Sequence, residues 1–210
     1  MSQDAVMLHC QAVKQLDWAS LAVGWPTEGC ADSVPNVQSL HQAYVERFDT
    51  FRDSERGARM LAAVQAVAER AREGGSITWE GLCSIQCVVL DLESVGFREG
   101  PAYANARLET YGSHPRLEGA FKKKLARDEA EELHPLLKAC RLYLDVRFFH
   151  PFADGNSAAA RLAVQWILQR EGVRIPDLIP LFRQPIAPGN LEHYRALIDS
   201  AAALLRQAHA

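Results

Sequence analysis

The chain has 210 residues, 48% of them apolar and 23% charged, with a formal net charge of −3 and a pI near 6.2. That is enough for one sizeable core with no second composition regime, and it excludes a general electrostatic pull toward nucleic acid or an anionic membrane. The opening MSQDAVMLHC has no basic start followed by an apolar run, and nowhere is there a membrane-length apolar stretch, so the sequence predicts a cytoplasmic protein.

In chain order, Trp18, Trp25, Pro26, Gly29 and Pro35 predict a turn-rich lead-in, residues 1–50, packed on the main unit of residues 51–210. Its two Trp are expected to pack on the core, and VQSLHQAYVERF has helical periodicity ending near Asp49. SERGARMLAAVQAVAERAREGG is an Ala-rich amphipathic helix stopped by Gly74 and Gly75. SITWEGLCSIQCVVLDLESVG follows as a helix capped by Ser76 or Thr78, with Glu80 suited to the dipole of its first turn. The five cysteines (Cys10, Cys30, Cys83, Cys87, Cys140) are odd in number and scattered, which predicts reduced thiols; Cys83 and Cys87 read as small hydrophobes on one helix face.

Gly100 and Pro101 then break the helical pattern, and residues 102–109 alternate: Ala102, Ala104, Ala106 and Leu108 on one side, Tyr103, Asn105, Arg107 and Glu109 on the other. Period two predicts a short hairpin, after which Tyr111, Gly112, His114 and Pro115 turn the chain. His114 reads either as a phosphate contact or as a solvated loop histidine. Lys122, Lys123 and Lys124, balanced by Asp128, Glu129, Glu131 and Glu132, predict a solvated helix face. Beyond residue 172 come Pro176, Pro180, Pro185 and Pro188, then Asn190 starting a last amphipathic helix.

The densest chemistry lies in residues 148–161, FFHPFADGNSAAAR. The helix LKACRLYLDVRFFH must stop at His150, because Pro151 lacks an amide and pushes the residue before it out of the α region. Asn156 is a good cap for a second helix, SAAARLAVQWILQR. The turn thus sits at a helix N-terminus, where free amides and the dipole favour an anion such as phosphate. Asp154 is a carboxylate placed to hold Mg²⁺, which takes only one or two carboxylates and fills its other positions with water and phosphate oxygens. Arg161, one turn beyond Ser157, can reach back to the phosphate.

His150, Pro151, Phe152, Asp154, Gly155, Asn156 and Arg161 resemble, in order and spacing, the Fic-domain signature HPFx[D/E]GNGRxxR. The resemblance implies a mainly α fold, a Fic-like bundle of about seven or eight helices with one small β-hairpin flap. It implies transfer of a nucleotide monophosphate, AMP above all, from an ATP-like Mg²⁺ nucleotide to a hydroxyl of a protein or small molecule. It makes His150 the general base, Asp154 the metal ligand, Gly155 and Asn156 with Ser157 the anion hole, Arg161 a terminal-phosphate ligand and Phe152 a buried anchor. It makes Tyr103, Asn105 and Arg107 part of a flap that holds the target segment as an added strand. Residues 76–81 also fit the family's self-inhibitory pattern [S/T]xxxE[G/N], with Glu80 as the inhibitory carboxylate, and Asn190 and Tyr194 fall where the family places residues near the base.

Two positions depart from the signature: Ser157 and Ala158 stand where the family has Gly and Arg. The missing Arg removes a charge-assisted contact of roughly 1.5–3 kcal/mol. Three readings follow: a Fic-type nucleotidyltransferase with a donor other than ATP left open, a Fic-fold binding or regulatory protein that has lost transfer, and a metal-dependent phosphoester hydrolase. For His150 two effects oppose. The C-terminal helix dipole favours imidazolium, whereas a nearby metal and Arg161 disfavour it.

Overall fold

The computed structural model describes residues 4–27, 34–104 and 108–210. Its elements in chain order are α1 (Ala5–Gln15), α2 (Trp18–Leu21), α3 (Val37–Tyr44), a π-helical stretch (Val45–Asp49), α4 (Thr50–Arg52), α5 (Ser54–Arg72), α6 (Trp79–Leu90), β1 (Ala102–Ala104), β2 (Glu109–Tyr111), α7 (Leu117–Ala130), α8 (Pro135–Phe149), α9 (Asn156–Arg170), α10 (Ile179–Phe182) and α11 (Leu191–Ala208). The fold is mainly α with one small antiparallel hairpin, as expected. The helices of eight residues or more number eight among the described residues, and α2, α4 and α10 are single turns between them.

The centre is the antiparallel pair α8 and α9. Both are buried nearly all round, and α9 brings the small buried side chains Ala159, Ala160 and Ala163 to its packing with α8 and the neighbouring helices. On the other side of α9, α5 contributes Met60, Ala63, Val64, Val67 and Ala71. The caps are local: Asp53 accepts from the Arg56 amide to start α5 at 3.0 Å, and Thr78 accepts from the Gly81 amide at 3.1 Å to start α6. Of the two caps open in the sequence for α6, Thr78 is the one used.

The lead-in does more than cover the core. His9 on α1 is fully buried, with Nε2 at 2.7 Å from Asp145 Oδ1 on α8 and Nδ1 at 2.8 Å from the Tyr194 hydroxyl on α11. The other Asp145 oxygen lies 2.7 Å from Lys124 Nζ on α7, which also meets Asp128 at 2.6 Å. Asp128 in turn holds Arg141 at 2.7 Å. Lys124 therefore corrects the reading of its basic run as a solvated face: Lys123 is exposed, Lys122 is half-buried between Glu118 and the Trp79 ring, and Lys124 turns inward, because a helix period of 3.6 puts successive lysines on different faces. Burial works to raise the Asp145 carboxyl, but Lys124 and the hydrogen bond from His9 hold it below the usual carboxylate range. Trp18 is buried under the Arg141 guanidinium, and Trp25 sits edge-on to His134.

Strands β1 and β2 pair Ala102 with Tyr111, Tyr103 with Thr110 and Ala104 with Glu109. Tyr111 thus ends a strand rather than opening the turn, as its burial against α8 requires. Asn105 and Arg107 lie outside the described residues, as does Cys30. Cys83 and Cys140 are held as neutral thiols, burial pushing them up to about 11 and about 12. Among the described residues no helix is long and apolar enough to cross a membrane.

Asp145→Ala is expected to cost about 3–5 kcal/mol in urea denaturation, because it strands Lys124 and His9 without their buried partner. Lys123→Ala, on the exposed face of the same helix α7, is expected to stay within about 0.5 kcal/mol.

Candidate active site

Helix α8 ends at Phe149, and His150 takes the left-handed conformation at φ 51° and ψ 55° as its C-cap. Pro151 can donate no hydrogen bond, so the chain turns outward, and Phe152 buries its ring completely, stacked on Trp79 at 5.2 Å. The loop is then closed by the Asn156 side chain, whose amide oxygen accepts from the Phe152 N–H at 2.9 Å and whose nitrogen donates to the Phe152 carbonyl at 2.8 Å. Asn156 is the first residue of α9, and the N-cap is Gly155 at φ 75°. That corrects two expectations. Asn156 is not the cap, and its buried side chain is spent on the loop, so only its backbone can join an anion hole. Gly155 is required twice over: its φ is left-handed, and a Cβ there would overlap the Gln86 amide, which donates to the Asp154 carbonyl at 2.8 Å.

This turn forms one wall of a cavity of about 500 Å³, to which His150, Asp154, Gly155, Asn156, Ser157, Ala158 and Arg161 all contribute. The sequence-predicted constellation is therefore brought together, except for Phe152, which anchors from beneath. Asp154 is largely exposed, with Oδ1 accepting from the Gly155 amide at 2.6 Å. The His150 ring stacks on Tyr111 at 4.1 Å, with Nδ1 3.3 Å from the Arg147 carbonyl. A carbonyl only accepts, so Nδ1 carries the proton and Nε2 keeps its lone pair. Burial first, and then the Arg98 charge, pull the His150 pKa below its ordinary 6.5 despite opposing contributions from Arg147, Glu109 and Asp154. Burial is the largest of these effects and favours the neutral ring.

Arg98 is a residue the sequence reading missed. It is buried, and its guanidinium donates to the His150 carbonyl at 2.7 Å, the Gly112 carbonyl at 2.7 Å and the Gly100 carbonyl, while its own amide donates to Pro151 O at 2.8 Å. One side chain ties the base of the hairpin to the turn that carries His150.

The opposite wall was not legible at all. It consists of Asp49, Arg52, Asp53, Arg56 and Met60, with Tyr103 and Ala104 of β1 at the rim. Two ion pairs cross between the walls: Arg161 Nη2 to Asp49 Oδ2 at 2.6 Å, and Arg56 Nη2 to Asp154 Oδ1 at 3.6 Å. Arg161 also lies over the Tyr44 ring at 5.1 Å, and its Nε is buried without a partner among the described residues. A Cβ on Gly57 would collide with the Thr50 backbone, so glycine there lets α4 fold back on α5 and bring Arg52 and Arg56 to one edge.

Other expectations fall elsewhere. Glu80 lies in the first turn of α6 and lines a separate depression with Arg70 and Trp166, so the carboxylate on Arg161 is Asp49 and not Glu80. Asn190 caps α11 through the His193 amide, and Tyr194 is buried between His9 and the Gly189 amide; neither lines the cavity. His114 accepts from the Arg116 amide in an exposed turn. Among the described residues no group of three or more His, Cys, Asp or Glu is placed to hold a metal, so the ligand set that a two-metal hydrolase normally needs is not found there.

In comparison with known proteins, a model of the Fic/DOC family matches residues 33–168. The fold is similar to that of a Fic domain containing signaling protein from Bacteroides thetaiotaomicron (TM-score 0.53, 16% identity, covering 80% of this chain and 76% of that one). It is also similar to a Fic family protein from Desulfovibrio desulfuricans (TM-score 0.54, 16% identity, covering 98% of this chain and 74% of that one). No curated protein matches the sequence.

The His150 ring is expected to titrate with a midpoint below 6.5 when followed by NMR. Its depressed pKa contributes stability that is present above 6.5 and is lost as pH falls through the lower, folded-state value. A midpoint above 6.5 would show that the helix dipole wins.

Proposed function

This chain belongs to the Fic/DOC family, and we propose that it is a transferase that moves a nucleotide monophosphate, AMP above all, from a Mg²⁺ nucleotide to a hydroxyl of a protein or small molecule. The observation that carries the reading is the placement of His150 on the same cavity as Asp154 and the N-terminus of α9, with Nδ1 turned to the Arg147 carbonyl so that Nε2 is the nitrogen left to accept a proton. Asp154 fits a magnesium ion of the kind that takes one carboxylate: it is exposed to the cavity and adjoins amides suited to phosphate. When bound, the ion would neutralise charge on the donor's phosphates.

The chain's own groups do the rest. The α9 N-terminus, with the backbone of Gly155, Asn156 and Ser157, holds the diphosphate portion, each amide favouring negative charge. His150 Nε2 takes the proton of the attacking hydroxyl. The new bond forms between that oxygen and the α-phosphorus, the bond from phosphorus to the bridging oxygen breaks, and diphosphate leaves with its electron pair. The base supplies about 10²–10⁴-fold, and preorganised charge stabilisation supplies the larger share. Arg98 positions His150 through its carbonyl, and the Tyr111 ring fixes the imidazole plane. The exposed Tyr103 on β1, at the cavity rim, is where an acceptor segment would rest.

A second reading, a Fic-fold binding or regulatory protein without transfer, is favoured by one observation: Arg161 is already neutralised by Asp49, and Ala158 supplies no charge. Thermal shift with nucleoside triphosphates and diphosphates separates the two. At a hundred times its dissociation constant a ligand adds about 2.7 kcal/mol to stability. The transferase reading expects that gain with Mg²⁺, its loss in Asp154→Ala, and transfer abolished in His150→Ala with nucleotide binding kept. No gain with any nucleotide would leave the binding reading in its place.

Asp49→Ala is expected to tighten nucleotide binding about tenfold by titration calorimetry, because it frees the Arg161 guanidinium for phosphate. Unchanged or weaker binding would mean that Arg161 serves the fold alone.

A further inference from the structure

The first turn of α9 gives the cavity no cation. Ser157 is neutral, Ala158 is buried, and the guanidinium of Arg161 is spent on Asp49 at 2.6 Å with only a small part of its surface exposed. A polyphosphate entering this cavity would meet the α9 amides on one side and needs positive charge from somewhere else. The facing wall carries it on Arg52, exposed at the end of α4, and Arg56, in the first turn of α5, which both line the cavity; Asp53 between them is engaged in capping α5 through the Arg56 amide, and Gly57 lets α4 pack against α5. Arg56 reaches Asp154 at 3.6 Å, with the Arg side chain 42% and the Asp side chain 70% exposed, so the pair is long, solvated and weakly held. The guanidinium is therefore at the position of the metal-binding carboxylate without being committed to it.

We infer that Arg52 and Arg56 form a second phosphate-binding wall, which takes the terminal phosphates of a polyphosphate ligand in place of the arginine absent at position 158. This rests on the transferase reading for the identity of the ligand, and it adds to that reading the residues that hold the ligand's outer end. Asp154 would hold the divalent cation that accompanies such a ligand, and Arg56, only loosely paired with that carboxylate, would be left to bind phosphate. The planar guanidinium forks suit bidentate phosphate recognition better than lysine does.

The test is titration calorimetry of the whole chain with inorganic tripolyphosphate and with ATP, each with and without Mg²⁺. The variants are Arg52→Ala, Arg56→Ala, the double substitution, and Arg72→Ala as a control that removes one charge from the far end of α5. All three arginines are at least partly exposed, so the variants keep the fold. The double variant is expected to weaken tripolyphosphate and ATP binding by tenfold or more and to flatten its salt dependence, with Arg56→Lys recovering only part, while Arg72→Ala stays within twofold of wild type. Affinity in the double variant equal to that of Arg72→Ala overturns the second wall and leaves the nucleotide site standing. Wild-type protein that binds neither ligand overturns both.

Discussion

The buried Arg98 guanidinium is the interaction on which the rest of the site depends. Three carbonyls, the nearby one of Gly100 and the more distant ones of Gly112 and His150, converge on it, and its backbone adds a fourth contact to Pro151. None of these carbonyls belongs to a ladder or helix that would satisfy it, and a buried carbonyl without a donor costs about 1–3 kcal/mol. Their common solution is a single rigid planar donor. It fixes how far the hairpin stands from α8, and so it sets the distance at which Tyr111 stacks on His150. Its positive charge also adds to the burial that lowers the His150 pKa.

Below that point the molecule is held by a connected chain of polar and charged groups rather than by isolated pairs. His9, Asp145, Lys124, Asp128 and Arg141 join α1, α7 and α8, and Tyr194 adds α11. Buried ions contribute little net stability compared with apolar packing, but each is costly to leave alone. The network therefore acts on register: it admits only the arrangement of four helices that satisfies every member. The helix that ends in His150 is among those four.

The fold and the near wall of the cavity were legible because their signals are local. Apolar spacing, Pro151, the Gly74–Gly75 stop and the period-two alternation each depend on neighbours in the chain. So does HPFADGN, in which the type and spacing of the residues are dictated by one turn between two helices. The facing wall was not legible, because Asp49, Arg52 and Arg56 look like ordinary surface charges and meet residues 154–161 only after α5 has packed across α9. Asn156 was misread for a related reason: a helix-start Asn is an ordinary cap, and only the three-dimensional loop shows that its amide is closing a ring with Phe152. Lys124 was misread because composition reports charge and not direction.

The π-helical stretch Val45–Asp49 leads into α4 and ends on the residue that faces Arg161. Its wider winding takes up one more residue per turn than an α-helix does, and each residue in a regular α-helix advances the side-chain direction by about 100°. Loss of one residue here, or relaxation to regular winding, would rotate Asp49 off Arg161 without changing a single side chain of the HPFADGN turn. In this protein the pairing of the Arg161 guanidinium on the cavity is thus tied to how tightly one short helix is wound.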